Sequence, residues 1–201
     1  MTSNDEVLVR QARLQSEAEA VQGDLGLAAL LGRVGEPVVV GSAGLGLMVW
    51  RDLDVTVICD DLDVAAVAAI GAQLAVHERV WRVVFKDDSG VWNTDPAYPD
   101  GLYLGVRYRS TAGDDWNLDT WFVDEPDRQP DLANLRTMPP RLTDDARLAI
   151  LRIKGDWCHR PEYGRSVTSA DIYTAVLDHG VGDLAGFASW VAGRDEHQPT
   201  T

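Results

Sequence analysis

The stretch VVVGSAGLGLMVWRDLDVTVICDD, Val38 to Asp61, decides how this chain is read. A β-branched apolar segment leads into a glycine-rich turn. A second apolar segment follows, opening on two aspartates one residue apart. Three chemistries compete for such a pattern: a loop that cradles a dinucleotide, glycines that let a turn pack closely, and one half of a metal site. A dinucleotide fingerprint needs G-x-G-x-x-G with a long helix after it. The glycines fall instead at 41, 44 and 46, and Arg51-Asp52 come too soon after Gly46 for a long helix. A P-loop needs Gly-Lys-Ser/Thr, and this stretch has no lysine.

The aspartates carry the remaining signal. In a strand, Asp52 and Asp54 point to the same side, roughly 6–7 Å apart along the chain. Exposure to solvent is the plain account of such residues. Yet both sit in a run with Leu53, Val55, Val57 and Ile58, and paired like charges beside a buried run cost stability unless a cation neutralises them. Two carboxylates on one strand face form a platform for a divalent ion, and hard Mg²⁺ takes oxygen ligands.

Residue type and spacing together reach further. Val40-Gly41-Ser42, then residues 43 to 51, then Asp52-Leu53-Asp54-Val55 resembles the signature of the nucleotidyltransferase superfamily, the polymerase-beta-like fold. The resemblance implies a mixed sheet in which Gly41 and Ser42 open a short helix whose backbone N–H groups hold the phosphates of a nucleotide. It implies that Asp52 and Asp54 bind Mg²⁺, with Mn²⁺ as a substitute. The superfamily also takes a third carboxylate from a later strand. Asp119, mid-strand in NLDTW between Leu118 and Thr120, fills that place as metal ligand or as general base. Asp114, Asp115 and Asp124 lie nearer turns.

Farther along, ILRIKGDWCHRPEYGRSVTSADIYTAVLDHGV (150 to 181) resembles the helical region of abortive-infection-type nucleotidyltransferases. By that resemblance Lys154 contacts nucleotide phosphates and Asp171 orients it or the acceptor. Lys154 and Lys86 are the only lysines, and Lys154 lies in an otherwise apolar-periodic helix. A solvated helix lysine is the plain alternative.

Around these motifs the pattern predicts an N-terminal helical segment (1–34), an α/β (α+β) nucleotidyltransferase core with a mixed sheet (35–125), and a helical C-terminal part (140–193). Within the core, strands are expected near 37–41, 53–59, 79–86, 102–110 and 115–123, with an Ala-rich helix over 61–77 capped by Asp61 or Asp63. Residues 124–140 read as a Pro-rich connector. Loop residues Trp92 and Tyr98 stand where they could cover a substrate. Arg51 is expected to pair with Asp52.

The net charge is −14, the wrong sign for general nucleic-acid binding, where basic groups supply most of the affinity. No apolar run approaches the roughly 20 residues that span a bilayer, and no secretory h-region opens the chain. A cytoplasmic protein is expected. Cys59 and Cys158 belong to no CxxC pair, so neither a disulfide framework nor a zinc site is expected. The reading is a Mg²⁺-dependent nucleotidyltransferase that moves a nucleoside monophosphate from a triphosphate, ATP first among them, to a hydroxyl-bearing acceptor. The charge favours a small, cationic acceptor over nucleic acid. Two alternatives stand beside it: a nucleotidyltransferase toxin acting on tRNA or protein, and a non-catalytic nucleotide-binding module of the same fold.

Overall fold

The computed structural model describes residues 4–197, and side chains through residue 194. These residues divide into two compact units, one of residues 13–137 and one of residues 4–12 with 138–197.

The larger unit is built on a five-stranded sheet in the order β1-β2-β5-β4-β3. Its strands are β1 (Glu36–Val39), β2 (Asp52–Ile58), β3 (Val80–Asp88), β4 (Gly101–Arg109) and β5 (Asp115–Val123). β2 and β5 run parallel, while the β1–β2, β5–β4 and β4–β3 pairs are antiparallel. The sheet is therefore mixed, as the resemblance implied.

Strand alternation separates two faces. One carries Leu53, Val55 and Val57 of β2, Leu102, Leu104 and Val106 of β4, and Trp116, Leu118 and Phe122 of β5, all buried. The helix α4 (Val64–Ala75) covers this face with Val67, Ile70 and Leu74. Asp63 caps α4, its side chain accepting from the Ala66 N–H. The long helix α1 (Asn4–Leu25) brings Leu14, Ala18, Val21 and Leu25 to the same core, a spacing of three and four residues that makes one apolar stripe. α1 runs through Gly23 and is followed by the single-turn helix α2 (Leu27–Leu31). The opposite face is polar, with Asp52 and Asp54 on β2, Asn117 and Asp119 on β5, and Tyr103 and Arg107 on β4.

Two elements connect to that polar face. The five-residue helix α3 (Gly41–Leu45) joins β1 to β2. The helix α5 (Pro130–Thr137) occupies the stretch read from sequence as a connector. Pro130 stands at its first position, where the missing N–H is one that a helix start leaves unpaired anyway. No helix among the described residues is long and apolar enough to cross a membrane.

The smaller unit is helical. It packs α6 (Asp144–Trp157), α7 (Ser169–His179) and α8 (Leu184–His197) through Ile150, Ile153, Ile172, Ala175 and Phe187. Trp157 meets Phe187 edge-on at 5.0 Å between ring centres. Thr143 caps α6 and Thr168 caps α7, in each case through the side-chain oxygen.

Candidate active site

The site grows from the turn between β1 and β2. The Val40 N–H donates to the Asp54 carbonyl at 2.9 Å, so the residue before Gly41 is tied to the strand that carries the aspartates. Gly41 then takes φ +57, a left-handed conformation that favours glycine. A Cβ there would stand 2.2 Å from Asp54 Oδ2. Nothing larger than glycine leaves the Asp54 carboxylate where it is. The turn closes on Gly46, also left-handed at φ +65, as the C-cap of α3. Gly44 serves packing instead: a Cβ on it would meet the Val39 carbonyl oxygen at 2.5 Å and Leu135 of α5 at 2.9 Å.

Strand register assembles the carboxylates. In the parallel β2–β5 pair, Asp54 lies opposite Asp119 and Asp52 opposite Asn117. Neighbouring strands lie about 4.8 Å apart, and facing residues of a parallel pair project to the same side. Asp52, Asp54 and Asp119 thus share one face, each half-buried. Ser42, buried, follows Gly41 at the start of α3.

Tyr103 was not anticipated from the sequence. Its hydroxyl donates to Asp119 Oδ1 at 2.5 Å, and its ring packs on Trp121 with 5.1 Å between centres. The ring lies across Gly105, where a Cβ would come within 2.5 Å of the tyrosine oxygen. Gly105 faces Asp119 across the β4–β5 pair, so the absent side chain is what lets the phenol reach over. Burial, then the bond to Asp119, raises the Tyr103 pKa well above the usual phenol value. The hydroxyl therefore stays a donor at any physiological pH. A tyrosine two residues before a glycine on a strand neighbouring an acidic one is a weak signal, because the sequence does not say which strands are neighbours.

The groups gathered at Asp52, Asp54, Asp119 and Tyr103 offer oxygens, which suits Mg²⁺ or Mn²⁺. Among the described residues, no three His, Cys, Asp or Glu side chains stand close enough to hold a metal ion between them. An open arrangement of this kind fits Mg²⁺ used with a nucleotide, where one or two carboxylates and the substrate phosphates share the coordination. The glycine cradle at Gly41, which a Cβ would fill, leaves Asp54 room to act as one of those carboxylates.

Arg51 pairs with Glu17 and Asp114, both at 2.9 Å, and not with Asp52. The side chain of Asp114 reaches it across the β4–β5 end of the sheet, which adjacency in sequence does not reveal. Lys154 and Asp171 belong to the smaller unit. Lys154 is only 1% exposed, with its ammonium 3.5 Å from the Tyr173 hydroxyl. Asp171 closes the capping box of α7 with Thr168 and pairs with Arg194 at 2.7 Å.

The chain has the fold of the nucleotidyltransferases. A solved structure described as the basis for the activity of a cytoplasmic RNA terminal U-transferase matches it with a TM-score of 0.56 and 17% sequence identity. The match covers 86% of this chain and 54% of that one, so the chain spans about half the length of the protein it resembles. No protein-family model matches the sequence, and no curated protein is similar to it.

Proposed function

We propose that the chain is a nucleotidyltransferase: it binds a nucleoside triphosphate with Mg²⁺ and transfers the nucleoside monophosphate to an acceptor hydroxyl. The observation that carries this is the register of Asp54 against Asp119, with Asp52 on the same face and Gly41 closed against Asp54. The fold it shares with a terminal U-transferase supports the same reaction class.

In this reading Asp52 and Asp54 hold Mg²⁺ together with the triphosphate, and the backbone N–H groups at Gly41 and Ser42 bind phosphate oxygens. When bound, the ion draws the phosphate oxygens into place and offsets their charge. The rest falls to the chain. Asp119 keeps Oδ1 on the Tyr103 hydroxyl, which leaves Oδ2 to take the proton of the acceptor hydroxyl. The acceptor oxygen bonds to the α-phosphorus, the bond from that phosphorus to the β-phosphate oxygen breaks, and pyrophosphate leaves. Positioning supplies most of the rate in such a transfer. Lys154 and Asp171 are assigned to nucleotide phosphates and to orientation only by resemblance. Within the smaller unit Lys154 is buried, and the hydrogen bonds of Asp171 go to Thr168 and Arg194.

The acceptor is a small molecule carrying positive charge, since a net charge of −14 opposes a polyanion. Transfer to an RNA end is the second reading, favoured by the activity of the solved neighbour. Calorimetry with each of the common nucleoside triphosphates, with and without Mg²⁺, tests the core of the proposal. Wild type should bind ATP only with the metal, and Asp54→Asn should lose that binding. Equal ATP binding by the two proteins, or none by wild type, refutes it. Labelled nucleotide offered with small amines or with RNA then separates the acceptors.

A further inference from the structure

Within the larger unit, past Asp119 along β5, lies a cavity of about 470 Å³, well within the range of small-molecule sites. Trp121 of β5 forms one wall, two residues beyond Asp119 and on the same face of the sheet. Its ring packs on Tyr103, whose hydroxyl holds Asp119. The cavity therefore adjoins the proposed reaction centre through two touching rings. Tyr98 stands in the opposite loop, which Arg128 pins by donating to the Pro96 and Tyr98 carbonyls at 3.1 and 3.0 Å.

Two polar side chains in this cavity lack partners. Gln129 is 5% exposed and lines the cavity, yet among the described residues no hydrogen bond reaches its side-chain amide. The amide keeps some solvent access, since among the described residues the fully buried side-chain atoms without a partner are Thr56 Oγ1 and Trp157 Nε1. Asp131, in the first turn of α5, also lines the cavity, and among the described residues no hydrogen bond or ion pair reaches its half-buried carboxylate. Burial raises its pKa above the ordinary carboxylate value. The other charges on the lining are Asp88, Asp95 and Lys86, and Lys86 is already spent on Asp88. Trp121 and Tyr98 are the aromatic residues of the lining, and the net lining charge is negative.

We infer that this cavity is the acceptor site and that it takes a hydroxylated small molecule bearing a protonated amine, the ammonium on Asp131, a polar group on Gln129 and the body of the molecule against Trp121. An ammonium removes the cost of the desolvated carboxylate, and a ligand donor or acceptor gives the Gln129 amide a partner. An aromatic wall adds attraction for a cation. From there a hydroxyl of the same molecule faces toward Asp119. A nucleobase offers no charge to Asp131, and an RNA backbone brings the wrong one. As an assignment of the acceptor this rests on the nucleotidyl-transfer reading above; as an amine site it does not.

The probe is 2-deoxystreptamine, a hydroxylated ring with amines, set against its di-N-acetyl derivative, which keeps the hydroxyls and loses the charge. Binding is followed by saturation-transfer NMR on the full chain at about 0.15 M salt, where distant surface charges are screened. Wild type should bind the amine, and the acetylated compound should bind at least about tenfold more weakly. Asp131→Asn should weaken the amine about tenfold and Gln129→Leu by a few-fold. Asp127→Asn removes the same charge from an exposed side chain nearby and should leave binding unchanged. No binding of the amine, equal binding of both compounds, equal loss in Asp127→Asn and Asp131→Asn, or competitive displacement of the amine by ATP overturns the inference. Mg²⁺-dependent ATP binding is measured on the same samples. If it persists while the amine fails, only this cavity assignment falls. If the amine binds and ATP does not, the amine site stands and the transferase reading falls.

Discussion

Replacing Gly41 by alanine probes the closest contact in the proposed site. The new Cβ would sit 2.2 Å from Asp54 Oδ2 and 2.9 Å from its carboxyl carbon. Cβ atoms essentially never come nearer than 3.0 Å to another heavy atom, so the carboxylate must retreat by close to 1 Å. The backbone adds its own cost, because alanine at φ +57 is disfavoured by about 1–2 kcal/mol. For a protein of this size that lowers the melting temperature by about 2–8 °C. Displacing a group that holds or orients a metal weakens metal binding or activity by about 10- to 100-fold. Gly41→Ala should therefore lose at least about tenfold in Mg²⁺–ATP binding by calorimetry. The control is Gly44→Ala, whose Cβ meets the Val39 carbonyl at 2.5 Å and Leu135 at 2.9 Å, away from the carboxylates. It should cost about 1–3 kcal/mol in a denaturant melt and hold ATP within about threefold of wild type, too small a change for a lost site contact. If Gly41→Ala also stays within that range while destabilised, the contact with Asp54 is packing and the site has been misread.

Three further outcomes test the surroundings. Tyr103→Phe keeps the ring against Trp121 but removes the donor to Asp119; pyrophosphate release should fall about tenfold, as loss of a charge-assisted hydrogen bond implies, with ATP binding unchanged, and unchanged turnover would show that Asp119 needs no anchor. Burial, with Asp124, Asp61 and Asp60 nearby, pushes the Cys59 thiol up from 9.0 to about 11. The folded chain keeps the proton that the unfolded chain releases, so the contribution of Cys59 to stability is whole below pH 9 and lost as pH rises toward 11; urea melts of wild type and Cys59→Ala should converge over that interval. Asp24 is held below the ordinary 3.8 by hydrogen bonds from Arg79 and Tyr108. Its contribution is therefore present above that value and lost as pH falls below it; Asp24→Asn should be less stable than wild type at pH 7 and close to it in strong acid, and a constant gap would refute the assignment.

Much of the sheet was legible because strand burial alternates. The runs around Leu53, Leu104 and Leu118 announce themselves by period, and the capping residues Thr143, Thr168 and Asp63 mark helix starts by type. Asp52, Asp54 and Asp119 stood out as charges that alternation alone does not explain. What period cannot supply is the neighbour of each strand. That β2 lies beside β5 and not beside β3 decides that Asp54 faces Asp119, and that β4 flanks β5 decides that Tyr103 reaches Asp119 over Gly105. Arg51 misled for the same reason: its partners Glu17 and Asp114 come from α1 and from the β4–β5 turn, not from the next residue. Gln129 and Asp131 were hidden in a stretch whose prolines resembled a connector, although Pro130 in fact starts a helix.

The same alternation binds the site to the core. A one-residue slip of β5 against β2 would turn every side chain of β5 to the other face. Leu118 and Phe122, both buried beneath the sheet, would then move to the polar side, and Asp119 would enter the apolar core beside Leu53 and Val55. An unpaired carboxylate there costs several kcal/mol, so the register that buries the apolar residues is also the one that lines up the carboxylates. Their placement needs no dedicated contact among the acids themselves. This accounts for an acidic face that stays open where a closed metal cage would be self-sufficient: packing on one side of the sheet holds the acids in place, and in the proposed reaction a nucleotide brought with its metal would supply the remaining ligands.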